Sequence, residues 1–361
     1  MLLFGTLGRY FSGRFARTTL LVFGTIFALV YVIDFVELMR RSGDVPGASA
    51  GLMARLALFR TPAFAEQVLP FAVLFGSMAT LLQLSRKLEL VVARAVGISA
   101  WQFLQPGIFV AGLLGCLAVG VFNPLSAFLR QEASAIEARV FGQGRAVSDR
   151  EIWIRQRSVD GQSIIRAEGA IGGTATLSGV TVFTFDEAGA FRDRIEAGAA
   201  TLRPGYWELT DVQVLSPDEE PAAYGTYLIA TNLEPSQVRQ SFTPPEAVSF
   251  WDLKDTIAQT ERAGLDAVRY RLQYSMLLAR PLLFVAMVFV AASVSLRFFR
   301  FGGVAKMVLG GVAAGFMLYV ATELMGDLGA SGLVSPAVAA WFPVVVGSLL
   351  GTLALLYQED G

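Results

Sequence analysis

Thr19-Leu20-Leu21-Val22-Phe23-Gly24-Thr25-Ile26-Phe27-Ala28-Leu29-Val30-Tyr31-Val32-Ile33 is uncharged from end to end, and its reading decides the class of the whole chain. Arg9, Arg14 and Arg17 precede it, as basic residues precede the apolar core of a signal peptide. No small-x-small cleavage site follows directly, and the run continues into Asp34-Phe35-Val36-Glu37 and Arg40-Arg41. A retained first membrane helix is therefore expected, from about Thr18 to Leu38.

Further stretches of about 20 apolar residues, enough to cross the hydrocarbon core, run from Phe64 to Leu84, Phe103 to Phe122, Leu277 to Leu296, Val304 to Leu324 and Val334 to Tyr357. Residues 1–124 thus carry three spans, 125–250 an inserted domain, and 251–361 a connecting helix and three more spans. Composition agrees: of 361 residues 54% are hydrophobic and 16% charged, against about 25% charged in soluble domains.

The inserted segment reads as strands. Val180 to Phe185 is β-branched and aromatic and ends in Asp186-Glu187-Ala188-Gly189. Trp207 and Leu209 alternate with polar residues after Gly205, Ile152 and Ile154 do the same, and Asp160-Gly161 suits a hairpin turn. Short strands at this spacing predict an all-β sandwich or open barrel. After Pro244-Pro245 the pattern turns helical, with Trp251 to Tyr274 leading into the fourth span.

Net charge is -1, so no basic face invites nucleic acid. With no histidine and only Cys116, an internal disulfide, histidine-based metal sites and histidine general bases are excluded. Neither a P-loop nor a nucleophile elbow occurs, so no cofactor and no catalysis are expected, and any active transport would draw its energy from a partner or an ion gradient.

Lys and Arg set the expected orientation. Arg9, Arg14 and Arg17, then Arg86, Lys87 and Arg94, then Arg297, Arg300 and Lys306 share one side if the N-terminus is cytoplasmic. The C-terminus is then cytoplasmic too, and the β domain is periplasmic. Arg40, Arg41, Arg55 and Arg60 fall on the outer side and break the rule.

Residues 85–99 form a candidate amphipathic helix ended by Gly97. Leu84, Leu88, Val91 and Ala95 share one face, with Glu89 and Arg94 elsewhere. Spacing alone leaves two readings open: a helix lying on the bilayer, or one inserted into a partner's groove.

Leu88-Glu89-Leu90-Val91-Val92-Ala93-Arg94-Ala95-Val96-Gly97-Ile98-Ser99 closely resembles the coupling-helix segment of the LptF/LptG permease family. Leu69-Pro70-Phe71-Ala72-Val73-Leu74-Phe75-Gly76 resembles that family's second helix, while Leu7-Gly8-Arg9-Tyr10 and Asp34-Phe35-Val36-Glu37 look most like its LptG branch. The resemblance implies an inner-membrane α-helical fold of six transmembrane helices with an inserted periplasmic β-jellyroll-like domain. It also implies a non-catalytic subunit of an ABC exporter: a heterodimer with an LptF-like permease, on an LptB-like ATPase dimer. Such an exporter passes lipopolysaccharide to LptC-like and LptA-like proteins.

By that resemblance Leu88, Glu89, Val92 and Arg94 would couple to the ATPase, with Glu89 as the acidic contact. Arg40, Arg41 and Arg60 would meet lipid A phosphates, since guanidinium groups bind phosphate bidentately; snorkelling to phospholipid head groups is the alternative. Arg130 and Arg139, beyond helix three, either guide the glycolipid upward or are solvated charges. Asp34 departs from the family, many of whose members carry a basic residue there.

Asp34, Glu37, Glu66, Glu323 and Asp327 lie in or beside the spans, mostly near helix ends. Two other classes stay open: a proton-driven transporter using these carboxylates, and a membrane anchor that displays a β domain. Gly302-Gly303, Gly310-Gly311 and Gly315 would let helix five pack closely on a neighbour.

Overall fold

Ala50 to Arg60, expected to be mostly loop, is rich in Ala, Leu, Met and Arg, which are strong helix formers. In the computed structural model it is helical, and the first two spans become a long hairpin: α1 (Thr6–Arg41) and α2 (Ala50–Arg86). The structure describes residues 5–43, 49–141, 152–158, 161–171, 176–186, 190–216, 220–232, 244–262, 266–301 and 304–359. α1 has 36 residues. At about 1.5 Å per residue it is about 54 Å long, well beyond a hydrocarbon core of about 30 Å.

A short helix α3 (Glu89–Ala95) follows, then α4 (Ala100–Leu117), a π turn (Ala118–Phe122) and α5 (Asn123–Val140). The third helix thus runs on past its expected end at Phe122. Residues 125–140, assigned from sequence to the inserted domain, are helix rather than strand. Pro124 reads as a helix stop because it lacks an N–H and its ring clashes with the preceding turn. A π turn precedes it, in which the Asn123 N–H donates to the Ala118 carbonyl, and the helix continues beyond.

Beyond the sheet a 3₁₀ turn (Pro245–Ala247) leads to α6 (Phe250–Arg262), α7 (Val268–Phe301), α8 (Val304–Ala330) and α9 (Pro336–Glu359). The expected connecting segment from Trp251 to Tyr274 is split between α6 and the start of α7. Among the described residues six helices are long and apolar enough to cross a membrane, so the chain is a multi-pass membrane protein. Gly311 and Gly315 of α8 lie against Met78 and Leu74 of α2, so this close packing is internal to the chain. Gly302 and Gly303 lie outside the described residues.

Among the described residues the inserted domain is one antiparallel sheet of six strands: β1 (Ile152–Ser158), β2 (Gly161–Ile171), β3 (Thr176–Phe185), β4 (Phe191–Arg203), β5 (Tyr206–Leu215) and β6 (Ala222–Ala230). Each of these strands pairs with the next, so their order is that of a meander. The likeness to a jellyroll lies in the curl. Gln156 of β1 accepts from Trp207 Nε1 at 3.3 Å and from Thr231 Oγ1 at 2.6 Å, and donates to the Ala230 carbonyl at 3.2 Å, which brings the first strand against the last two. Ile154, Ile165, Val182, Ile195, Trp207, Leu209 and Ile229 pack in the core so enclosed. Simple alternation fails in the middle strands, where the buried pairs Leu177 and Val180, Ala197 and Ala200, and Leu209 and Val212 are three apart. A crease crosses the sheet between the members of these pairs, with Gly179 (φ +59°) and Asp211 (φ +55°) in left-handed conformations.

Candidate functional site

Leu88 leaves α2 in a left-handed conformation (φ 57°), which restarts the helix with a new phase. α3 is closed by a Schellman motif: Ile98 N–H donates to the Ala93 carbonyl at 3.0 Å, Gly97 N–H donates to that of Arg94 at 2.9 Å, and Gly97 has φ +86°. A Ser99–Gln102 capping box then opens α4. Both ends of the short helix are thereby fixed.

Its inward residues are Leu90 and Ala93, both buried, and Leu90 joins Phe11, Phe15, Leu84, Phe103 and Leu104 in one apolar cluster. Outward stand Leu88 (59% exposed), Val92 (60%) and Val96 (75%), with Val91 and Arg94 also exposed. The single face expected for Leu84, Leu88, Val91 and Ala95 does not form, because the turn at Leu88 rotates α3 relative to α2. Glu89 points back to α1: its Oε1 accepts from Tyr10 Oη at 3.2 Å and lies 3.6 Å from Arg14 Nη2.

A second cluster joins the far ends of α1 and α2 to α5. Arg60 Nη1 lies 2.6 Å from Glu137 Oε1 and Nη2 lies 3.5 Å from Asp34 Oδ1, with the guanidinium over the Phe64 ring at 5.7 Å. The second Asp34 oxygen is buried without a hydrogen-bond partner. Nearby on α1, Arg40 makes a two-pronged pair with Glu37 at 2.9 and 2.8 Å.

A third cluster lies inside the bundle. Glu66 of α2 is ion-paired with Arg280 of α7 and accepts from Asn123 Nδ2 at 2.9 Å. Asn123 Oδ1 in turn accepts from the Phe250 N–H, also at 2.9 Å. The carbonyl of Gly120, within the π turn, accepts from Trp251 Nε1 at 3.1 Å.

The sequence model of the family "Lipopolysaccharide export system permease LptF/LptG" matches residues 9–358. The chain belongs to this family. It is 24% identical over 353 residues to lipopolysaccharide export system permease protein LptG of Escherichia coli K12, spanning 94% of this chain and 95% of that relative. With LptG of Haemophilus influenzae it shares 22% identity over 369 residues, spanning 97% and 96%. Both relatives carry the LptG name, in line with the N-terminal resemblance.

In this LptF/LptG permease, Leu88, Glu89, Val92 and Arg94 all sit on or beside α3, as the sequence suggests. Arg40 and Arg60 are held by carboxylates, whereas exposed Arg41 and half-buried Arg130 make no ion pair among the described residues. The Arg139 side chain lies outside the described residues. Sequence reasoning missed Tyr10, Arg14, Asn123 and Arg280. Of these only Arg280 left a signal, as an arginine inside the expected fourth span.

Proposed function

We propose that this chain is the transmembrane permease subunit of an ABC exporter that extracts lipopolysaccharide from the inner membrane and passes it to a periplasmic bridge. The outward apolar side of α3, formed by Leu88, Val92 and Val96, carries the ATP-driven reading. Covering such a surface is worth about 25 cal/mol per Å², and a helix fixed at both ends loses little freedom on docking. In this reading α3 faces the cytoplasm with both termini and seats in an LptB-like ATPase dimer, with Leu88, Glu89, Val92 and Arg94 at the contact. An LptF-like permease completes the heterodimer, and LptC-like and LptA-like proteins receive the glycolipid from the periplasmic β domain. Arg41 and Arg130 are the readiest partners for lipid A phosphates. Arg40 and Arg60 serve once they leave their carboxylates, and Arg139 lies on the same route.

The test is affinity recovery of the tagged chain from detergent-solubilised native membranes. Wild type should bring down an ABC-type ATPase and a second six-helix permease, and Val92→Asp should lose the ATPase alone. Recovery of the chain by itself, or an ATPase indifferent to Val92→Asp, sinks the coupling reading and brings a proton-driven transporter forward.

A further inference from the structure

α3 has only seven residues, and a helix that short does not hold itself together. Its direction depends on what braces it. Leu90 anchors one side in the cluster that holds Phe11 and Phe15 of α1. The polar brace is on the same helix: Tyr10 and Arg14 stand one turn apart on α1, and both reach a single oxygen of Glu89. The Arg14 guanidinium also lies over the Tyr10 ring at 5.1 Å, so the two residues steady each other. The other carboxylate oxygen takes no hydrogen bond from a described residue.

We propose that Tyr10 and Arg14 are positioning residues that fasten the Glu89 carboxylate to α1, so that α3 and α1 move as one piece. The proposal rests on the coupling role of α3 given above. α1 suits the task. Its buried residues are Gly8, Phe11, Phe15 and Thr19 at one end and Leu38 at the other. Its far end is tied through Asp34 to Arg60 of α2, and Arg60 binds Glu137 of α5. A push on α3 therefore reaches the Asp34 cluster along a single unbroken helix.

Two measurements on the full-length chain test this. Backbone hydrogen exchange at residues 89–98 in detergent should speed up about threefold in Tyr10→Phe and Arg14→Gln, the scale of exposed polar contacts, while Ala100–Leu117 stays unchanged. In vesicles holding the recovered complex, lipopolysaccharide released per ATP hydrolysed should fall by about the same factor in Arg14→Gln. The amount of ATPase bound should not change, and Arg14→Lys should restore most of the yield. Unchanged exchange at α3, or a wild-type yield per ATP in Arg14→Gln, overturns the positioning role. If Arg14→Gln loosens the whole chain, Tyr10→Phe, which removes one hydroxyl, decides by the same exchange. A wild-type chain that recovers no ATPase overturns the exporter reading instead, and the exchange result still judges the brace.

Discussion

Glu66 on α2 and Arg280 on α7, 214 positions apart in sequence, meet inside the helical bundle, where their side chains are 9% and 18% exposed. Removing one partner of a buried pair strands the other charge, at a cost of about 3–5 kcal/mol. Glu66→Met or Arg280→Met alone should therefore sharply lower the thermal unfolding midpoint in detergent. The double substitution, which leaves no orphan charge, should recover most of the loss. Additive losses would show that the pair is not coupled.

Asp34 and Glu137 share Arg60, and one Asp34 oxygen has no partner. Asp34→Asn keeps an acceptor facing Arg60 and removes a charge, so stability should change by less than about 1 kcal/mol. With one counter-charge gone, Arg60 should bind phosphate more readily. Binding of lipid A by the purified chain should tighten severalfold, and dephosphorylated lipid A should show no such gain.

A Cβ on Gly115 of α4 would lie 2.5 Å from the Pro281 Cα of α7, which is backbone and cannot swing aside. Gly115→Ala should cost about 1–3 kcal/mol by forcing the two helices apart. Gly112→Ala, whose nearest neighbour is 3.9 Å away on a Val285 side chain, should be close to neutral. Unfolding midpoints of the two variants in the same detergent make the comparison.

Gln156 closes the curl of the sheet through three hydrogen bonds. Gln156→Leu takes its acceptor from the buried Trp207 indole N–H, at about 1–3 kcal/mol while that group stays buried. Limited proteolysis should then cut within residues 152–230 several times faster while the helical fragments persist.

The spans were legible because crossing a membrane demands only a local apolar composition, and Thr19 to Ile33 meets that demand unaided. Their ends were not legible. Whether helix continues past the apolar run depends on propensity, as at Ala50 to Arg60, and on packing, as in α5 beyond Phe122. Val180 to Phe185 read correctly as strand from its β-branched residues, but the crease beside Gly179 broke the two-residue period that places side chains. The coupling segment was recognisable, yet its face was misjudged because one left-handed residue, Leu88, resets the phase. Partners such as Arg280 for Glu66 stay hidden, since nothing local records what arrives 214 residues later.

The chain departs through α5 and returns through α6, and the two are stitched together at the threshold: Gln131 to Ala247 at 3.1 Å, Asn123 to Phe250 at 2.9 Å, Trp251 to Gly120 at 3.1 Å. Among the described residues these bonds fasten residues 120–131 to residues 247–251, so a stretch of more than a hundred positions begins and ends at one clasp. Exchanges of side chains along β1 to β6 leave the atoms of that clasp untouched, and the helices keep their own packing constraints.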